Sequence, residues 1–340
     1  MTSVLEARVR SWWAGDLGRP GRVLHGATWP LEAAFRAGVA LRNEAYDRGV
    51  LTARQATIPV ISVGNLTVGG TGKTPVAAWV ARTLADEGAR PAVVSRGYGQ
   101  DELALHKRWN PDVLVRAHPD RVLAVRSAAR DGATVAVLDD GFQHRRLART
   151  LDIVLLAAEE PLPGRLLPRG PFREPLGALS RADVVLITRK VAGEESARRV
   201  EAIAQAAAPE ARVARMRLEP GGWSDGAGAD VDPPGGPLLA VASVAHPEGF
   251  ARLVESLTGS QPELMPFPDH HPYDRKDVRA IRERAGGRTV VVTEKDAVKL
   301  EGLRESLPEL RVLRLRVRLE AGAEALLERV TQVGREGARP

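Results

Sequence analysis

Six consecutive residues, Gly69-Gly70-Thr71-Gly72-Lys73-Thr74, constrain the fold of this chain more than any others. They follow the apolar run Pro59–Val63 and precede a helical pattern over Pro75–Glu87, so the local order is strand, glycine-rich turn, helix. Phosphate oxygens need several backbone N–H groups converging on one point, and glycines let the main chain approach without a Cβ clash. A helix starting there adds its N-terminal dipole and unpaired donors. In such a loop Lys73 brings a positive charge to the β- and γ-phosphates and Thr74 brings a hydroxyl to Mg²⁺. Gly69, Gly70, Thr71, Gly72, Lys73 and Thr74 are therefore the candidate nucleotide-binding residues, and ATP and Mg²⁺ the expected cofactors. Thr67 stands where the strict G-x-x-x-x-G-K-[ST] pattern has its first glycine, but every element with a physical role is present.

The flanking sequence sets the fold class. Pro91–Ser95, Asp112–Arg116, Thr134–Leu138, Leu151–Ala157 and Val184–Thr188 are short apolar runs separated by helical segments. Nearly continuous Val/Ile/Leu runs of this length fit parallel strands covered on both faces. The expected fold is α/β, a P-loop NTPase-type doubly wound and mainly parallel sheet. A Gly-, Asp- and Pro-rich stretch from Pro220 to Pro237 then reads as a linker or a long surface excursion. Beyond it, strands at Leu238–Val244, Thr289–Thr293 and Val312–Leu319 alternate with helices at Pro247–Leu257 and Arg275–Arg284, which predicts a second, smaller α/β domain. The expected division is a basic segment 1–28, a kinase domain 29–219, a smaller domain 220–330 and a tail 331–340.

Composition excludes several chemistries. The chain has no cysteine, which removes disulfides, thiolate metal sites and a cysteine nucleophile. No apolar run reaches the roughly 18 residues needed to span a bilayer, and no secretory signal appears. The net charge of +6 favours anionic partners, although an arginine-rich surface alone accounts for it equally well. From Trp29, the residues Leu31, Ala34, Phe35, Val39, Leu41, Ala45 and Tyr46 follow helical spacing, with arginines on the other face. Such a helix packs on the body of the protein or lies on a membrane surface.

A second acidic site lies at Asp139 and Asp140, directly after the apolar run Val135–Leu138. Two aspartates after a strand more often form a turn, but beside a phosphate loop a carboxylate at a strand end is what a nucleotide-bound Mg²⁺ requires.

Six motifs in order then resemble the tetraacyldisaccharide 4'-kinase (lipid A 4'-kinase) family. They are Val63-Gly-Asn-Leu-Thr-Val-Gly-Gly-Thr-Gly-Lys-Thr-Pro75, Ser95-Arg-Gly-Tyr-Gly99, Leu138-Asp-Asp-Gly-Phe-Gln-His144, Leu167-Pro-Arg-Gly-Pro-Phe-Arg-Glu-Pro175, Phe267-Pro-Asp-His-His271 and Thr293-Glu-Lys-Asp296. The resemblance implies ATP-dependent phosphorylation of the 4'-hydroxyl of a tetraacyl glucosamine disaccharide 1-phosphate. It also implies two α/β domains, an anionic glycolipid substrate and a peripheral position on the cytoplasmic face of the inner membrane. By motif, Lys73 and Thr74 match the phosphate lysine and the Mg²⁺ hydroxyl. Asp139, with Asp140 beside it, and Glu174 match the acidic metal site. Gln143 and His144 fall near the reacting phosphate, with Arg96 and Tyr98 as candidate substrate-side residues. Asp101 and His270 match the pair that activates the sugar hydroxyl, Lys73 completing the catalytic set. That pair suits the chemistry, because a sugar hydroxyl is a poor nucleophile and must lose its proton as the bond forms. Gly99 is followed almost at once by Gln100-Asp101-Glu102, a shorter segment than the family carries, so Glu102 and Asp112 remain alternatives to Asp101.

Two other classes compete. A P-loop ATPase switch of the partitioning or metallochaperone type carries a similar loop, usually with a lysine where Val68 stands here. A nucleic-acid-binding protein would suit the charge, but no helix-turn-helix, aromatic platform or zinc pattern supports it, and no nucleic-acid partner is expected. A monomer is the expectation, with no sequence feature that fixes the oligomeric state.

Overall fold

β-Branched and aliphatic runs form the strands, and the segments between them close into helices whose apolar sides cover the sheet. The computed structural model describes residues 8–9, 11–13, 18–97, 100–244 and 247–337. Helices α1 (Gly18–Ala27) and α2 (Trp29–Asp47) precede β1 (Val60–Asn65), α3 (Lys73–Asp86) and β2 (Pro91–Ser95). Next come α4 (Gln100–Trp109), β3 (Leu114–Ala117), α5 (Arg121–Arg130), β4 (Val135–Asp139), β5 (Leu151–Ala157) and β6 (Val184–Arg189). After α6 (Glu194–Ala207) the chain runs through β7 (Arg212–Asp225), β8 (Asp230–Val231), β9 (Leu238–Ala242), α7 (Pro247–Thr258) and β10 (Glu263–Pro266). It ends with α8 (Arg275–Ala285), β11 (Thr289–Thr293), α9 (Glu294–Leu300), β12 (Leu310–Leu319) and α10 (Ala323–Gly337).

The chain divides into two units: residues 1–98, 106–218 and 317–340 form the first, and residues 99–105 and 219–316 the second. In the first, parallel pairs join β7 to β6, β6 to β5, β5 to β1, β1 to β4, β4 to β2 and β2 to β3. Fully buried aliphatics from β1, β4, β5, α3 and α10 form its larger core cluster, including Ile61, Val80, Leu84, Val137, Leu155 and Val330. In the second unit, β10, β9, β11 and β12 pair in parallel. Val278 and Ile281 of α8 close over Leu239, Val241, Val290 and Val292.

This arrangement differs from the division expected at residues 219/220 and 330/331. Residues 317–337, expected in the smaller domain and the tail, belong to the first unit, because Leu326, Val330 and Val333 of α10 sit in its core. The seven residues 99–105 belong to the second unit. Nor is Pro220-Gly221-Gly222 a linker: all three lie inside β7, where Gly222 takes φ +98° and Trp223 pairs with Val231 of β8.

Within the first unit, β1 lies between β4 and β5, so the chain leaves the C-terminal end of β1 at a switch in strand order. In open parallel sheets this is where ligands bind. Register sets Val63 of β1 opposite Asp139 of β4, which brings the acidic strand end beside the glycine-rich loop.

Candidate active site

The loop meets α3 at Gly72, whose φ of +91° is a left-handed conformation that side chains resist. A Cβ at this position would lie 2.5 Å from Leu218 Cδ1. No side chain caps α3, so its first-turn N–H groups stay available as donors. An uncapped, glycine-led helix start with Lys73 and Thr74 as its first residues fits a triphosphate.

Asn65, the last residue of β1, organises the loop from inside. Its amide donates to the hydroxyls of Thr67 (3.2 Å) and Thr71 (2.9 Å), while its Oδ1 accepts from Lys73 Nζ (3.1 Å) and from Arg173. Its backbone carbonyl accepts from Gln143 Nε2 at 2.9 Å. From the far side, Thr188 Oγ1 donates to the Thr71 carbonyl (2.8 Å) and Lys190 Nζ to the Gly70 carbonyl (2.9 Å). The loop is thus held by side chains on both of its shoulders.

The two aspartates at the end of β4 occupy different environments. Asp139 is buried, and its Oδ2 lies 3.0 Å from Nε2 of His106, which has no exposure at all. Asp140 takes φ +61° and turns its carboxylate to Arg173, which donates to both oxygens (2.9 and 2.7 Å), with Lys73 Nζ 3.7 Å away. Burial opposes the charge on Asp140, but Arg173 and Lys73 outweigh it and hold the carboxyl down at about 2. Oxygen donors from Thr74 and these carboxylates are the type Mg²⁺ prefers. Among the described residues there is no cage of three or more carboxylate or imidazole groups, so a metal here would take the rest of its shell from phosphate and water.

Glu174 is the further carboxylate expected at the metal site. It is buried, and its oxygens accept from Arg181 (2.9 and 3.2 Å) and from Asn43 of α2 (2.7 Å). Burial opposes its charge, yet the Arg181 guanidinium holds the carboxyl below the usual range. Through these bonds Glu174 ties α2 to the Arg173 segment. Of the other candidates, Gln143 supports Asn65, and His144 is kept neutral, pushed to about 4 by burial and then by Arg121. Arg96 follows β2 closely enough to Arg121 for their charges to oppose. Tyr98 lies outside the described residues.

The second unit holds the Asp101–His270 pair. Asp101 stands in the first turn of α4 and is buried; its Oδ2 lies 3.1 Å from His270 Nδ1. His270 is itself left-handed at φ +58°, a strained backbone of the kind that clusters at functional sites. Burial raises the cost of charge on Asp101, but His270, Lys295 and Lys299 reverse this and hold its carboxyl well below the usual range. Of the two alternatives, Glu102 follows Asp101 on α4, while Asp112 pairs with Arg82 at 3.2 Å in the first unit.

Sequence reasoning assigned no role to Asn65, Arg173, His106 or Lys295. Asn65, Arg173 and Lys295 lie inside motifs already singled out, so position was the available signal. His106 lies outside them, and nothing in the sequence marks it.

A family model described as tetraacyldisaccharide-1-P 4'-kinase matches residues 24–108 and 99–334. The tetraacyldisaccharide 4'-kinase of Anaeromyxobacter sp. (strain K) is 41% identical over 349 residues, covering 93% of this chain and 92% of that protein. That of Halorhodospira halophila is 37% identical over 337 residues, with 93% and 94% covered. The crystal structure of the "apo" form of LpxK from Aquifex aeolicus in complex with ATP superposes with a TM-score of 0.72 at 28% identity, covering 91% of this chain and 99% of that one.

Proposed function

Because the chain belongs to the tetraacyldisaccharide-1-P 4'-kinase family, we propose how its residues divide the work of that reaction. The enzyme phosphorylates the 4'-hydroxyl of a tetraacyldisaccharide 1-phosphate with ATP, a step of lipid A biosynthesis. The loop N–H groups and Lys73 hold the transferring phosphate. Thr74, Asp139 and Asp140 would hold Mg²⁺, which would neutralise charge on the phosphate oxygens. Arg173 aligns Asp140 and Asn65 together.

The Asp101–His270 pair carries the reading. Asp101, held ionised, is a weak base; it accepts a hydrogen bond from the Nδ1–H of His270 and leaves Nε2 to take the proton of the sugar hydroxyl. An ATPase switch has no use for such a pair. The test is transfer of labelled γ-phosphate from ATP to a disaccharide 1-phosphate glycolipid, with glycerol lipids and nucleosides as controls. Transfer to the glycolipid, lost in His270→Ala while ATP still binds, supports the assignment. Turnover that ignores the glycolipid and rises with DNA or a protein partner points to the switch instead.

No helix among the described residues is long and apolar enough to cross a membrane. Position at the cytoplasmic face of the inner membrane is part of the same proposal, supported by the apolar side chains that α1 and α2 leave exposed. Val23 is 73%, Trp29 61%, Leu31 59% and Leu41 76% exposed. Exposed apolar side chains beside arginines suit an anionic glycolipid surface. Loss of sedimentation with anionic vesicles in a Trp29→Ser, Leu31→Ser, Leu41→Ser variant is the expected result; unchanged sedimentation would place the contact elsewhere.

A further inference from the structure

The run Thr293-Glu294-Lys295-Asp296 holds neither phosphate nor sugar in the roles above, yet its lysine lies against the imidazole. Lys295 Nζ is 3.1 Å from His270 Nε2, 3.1 Å from Asp269 Oδ1 and 3.7 Å from Asp101 Oδ2. One turn further along α9, Lys299 Nζ is 3.6 Å from the same Asp101 oxygen. The other residues of the run fix this geometry. Thr293 Oγ1 caps α9 by accepting from the Asp296 N–H, and Glu294 accepts from the Leu315 N–H at 2.9 Å. Asp296, fully buried, accepts from the Ser243 N–H (3.0 Å) and the Tyr273 hydroxyl (3.1 Å).

An ammonium carries three donors and no lone pair, so at Nε2 it can only donate. Nε2 therefore presents its lone pair, and the ring proton sits on Nδ1, where Asp101 accepts it. A protonated ring would turn a second N–H toward Lys295, which the like charge resists. The charged groups around His270 are Asp101 from α4, Asp269 from the preceding loop, Lys295 from α9, and Lys299 behind Asp101. The two carboxylates favour the protonated ring; Lys295 opposes them.

We propose that Lys295 is a positioning residue that keeps His270 neutral, with Nε2 able to accept a proton, and yields that nitrogen to the sugar hydroxyl when substrate binds. The proposal rests on His270 being the base. The experiment compares the full-length enzyme with Lys295→Met, Lys295→Gln and Lys295→Arg, following the ¹⁵N-labelled His270 ring by NMR and the pH dependence of kcat/KM for the disaccharide 1-phosphate glycolipid. In Lys295→Met the ring protonates, and the acid limb of the profile falls, at a pH higher by about one unit, the low end for a neighbouring charge because His270 is half exposed. Lys295→Gln, which keeps a donor without the charge, shifts likewise and serves if the methionine variant does not fold. Lys295→Arg retains the parent profile. An unmoved ring titration in the uncharged variants overturns the proposal. A ring that moves while kcat/KM does not would keep the lysine contact and remove His270 from the base role.

Discussion

Asp140→Asn separates charge from conformation at the phosphate site. Asp140 adopts φ +61°, and asparagine is among the few residues that accept this region, so the backbone keeps its path. What is lost is the charge that faces Arg173 at 2.9 and 2.7 Å and Lys73 at 3.7 Å. These partners, working against burial, bring the carboxyl from 3.8 to about 2. At about 1.4 kcal/mol per unit this is roughly 2 kcal/mol. The side chain is 39% exposed, and solvent screening cuts the figure to about 1 kcal/mol. Because the folded-state value is depressed, that stability is complete at neutral pH and disappears only as pH falls from about 4 through about 2. The variant should therefore melt about 2 °C lower at neutral pH. Its metal-free ATP affinity should hold or rise, since Arg173 and Lys73 lose a counter-charge. Its Mg²⁺-dependent kcat should fall about 100-fold or more, as when a transition-state electrostatic partner is removed. Calorimetric melting, ATP titration with and without Mg²⁺, and steady-state transfer measure the three. An unchanged kcat at saturating Mg²⁺ would refute the metal-site role, and a large melting loss with abolished ATP binding would make Asp140 a structural residue.

Two further substitutions probe the supports of the site. Gly72→Ala places a Cβ 2.5 Å from Leu218 Cδ1 at φ +91°; the left-handed backbone alone costs about 1–2 kcal/mol, so urea unfolding should show at least that loss together with weaker ATP binding. Equal stability and affinity would show that the loop does not need this glycine. Glu32 of α2 is buried, accepting from the Leu166 N–H (3.0 Å) and Arg169 (2.7 Å), contacts that overcome burial and hold it below the usual carboxylate range. Glu32→Gln leaves Arg169 without its counter-charge and should cost about 3 kcal/mol, with faster amide exchange over residues 18–47. Parent-like exchange there would mean that other contacts hold the helix.

Short, largely aliphatic strands were readable to the residue: Pro91–Ser95, Leu151–Ala157 and Thr289–Thr293 match the observed bounds. The α4 helix was not, because its buried positions include Asp101 and His106 as well as Leu105, and such a helix lacks an apolar stripe. β7 was hidden by Pro220-Gly221-Gly222, where local turn chemistry argued against a strand that pairing with β8 sustains. On α2 the apolar spacing was present, but Leu31 and Leu41 stay exposed while Glu32 is buried, because a carboxylate with two good donors outcompetes leucine for the docked face. The phosphate loop was legible because glycine and lysine spacing is itself the geometry. Arg173 and Lys295 were not, since their partners are set by strand register and by contacts across long stretches of chain.

The contact between Asp101 and His270 spans 169 residues of sequence, whereas Asn65 and Lys73 are eight apart. Closing a loop that long costs about 4–5 kcal/mol of chain entropy before any other contact repays it. The core on which the nucleotide loop rests is completed by Leu326, Val330 and Val333 of α10, made after the histidine. A chain interrupted before residue 270 would therefore lack both the group that accepts the sugar's proton and the helix that finishes the first unit's core. Holding the nucleotide and using it wait on the same late residues.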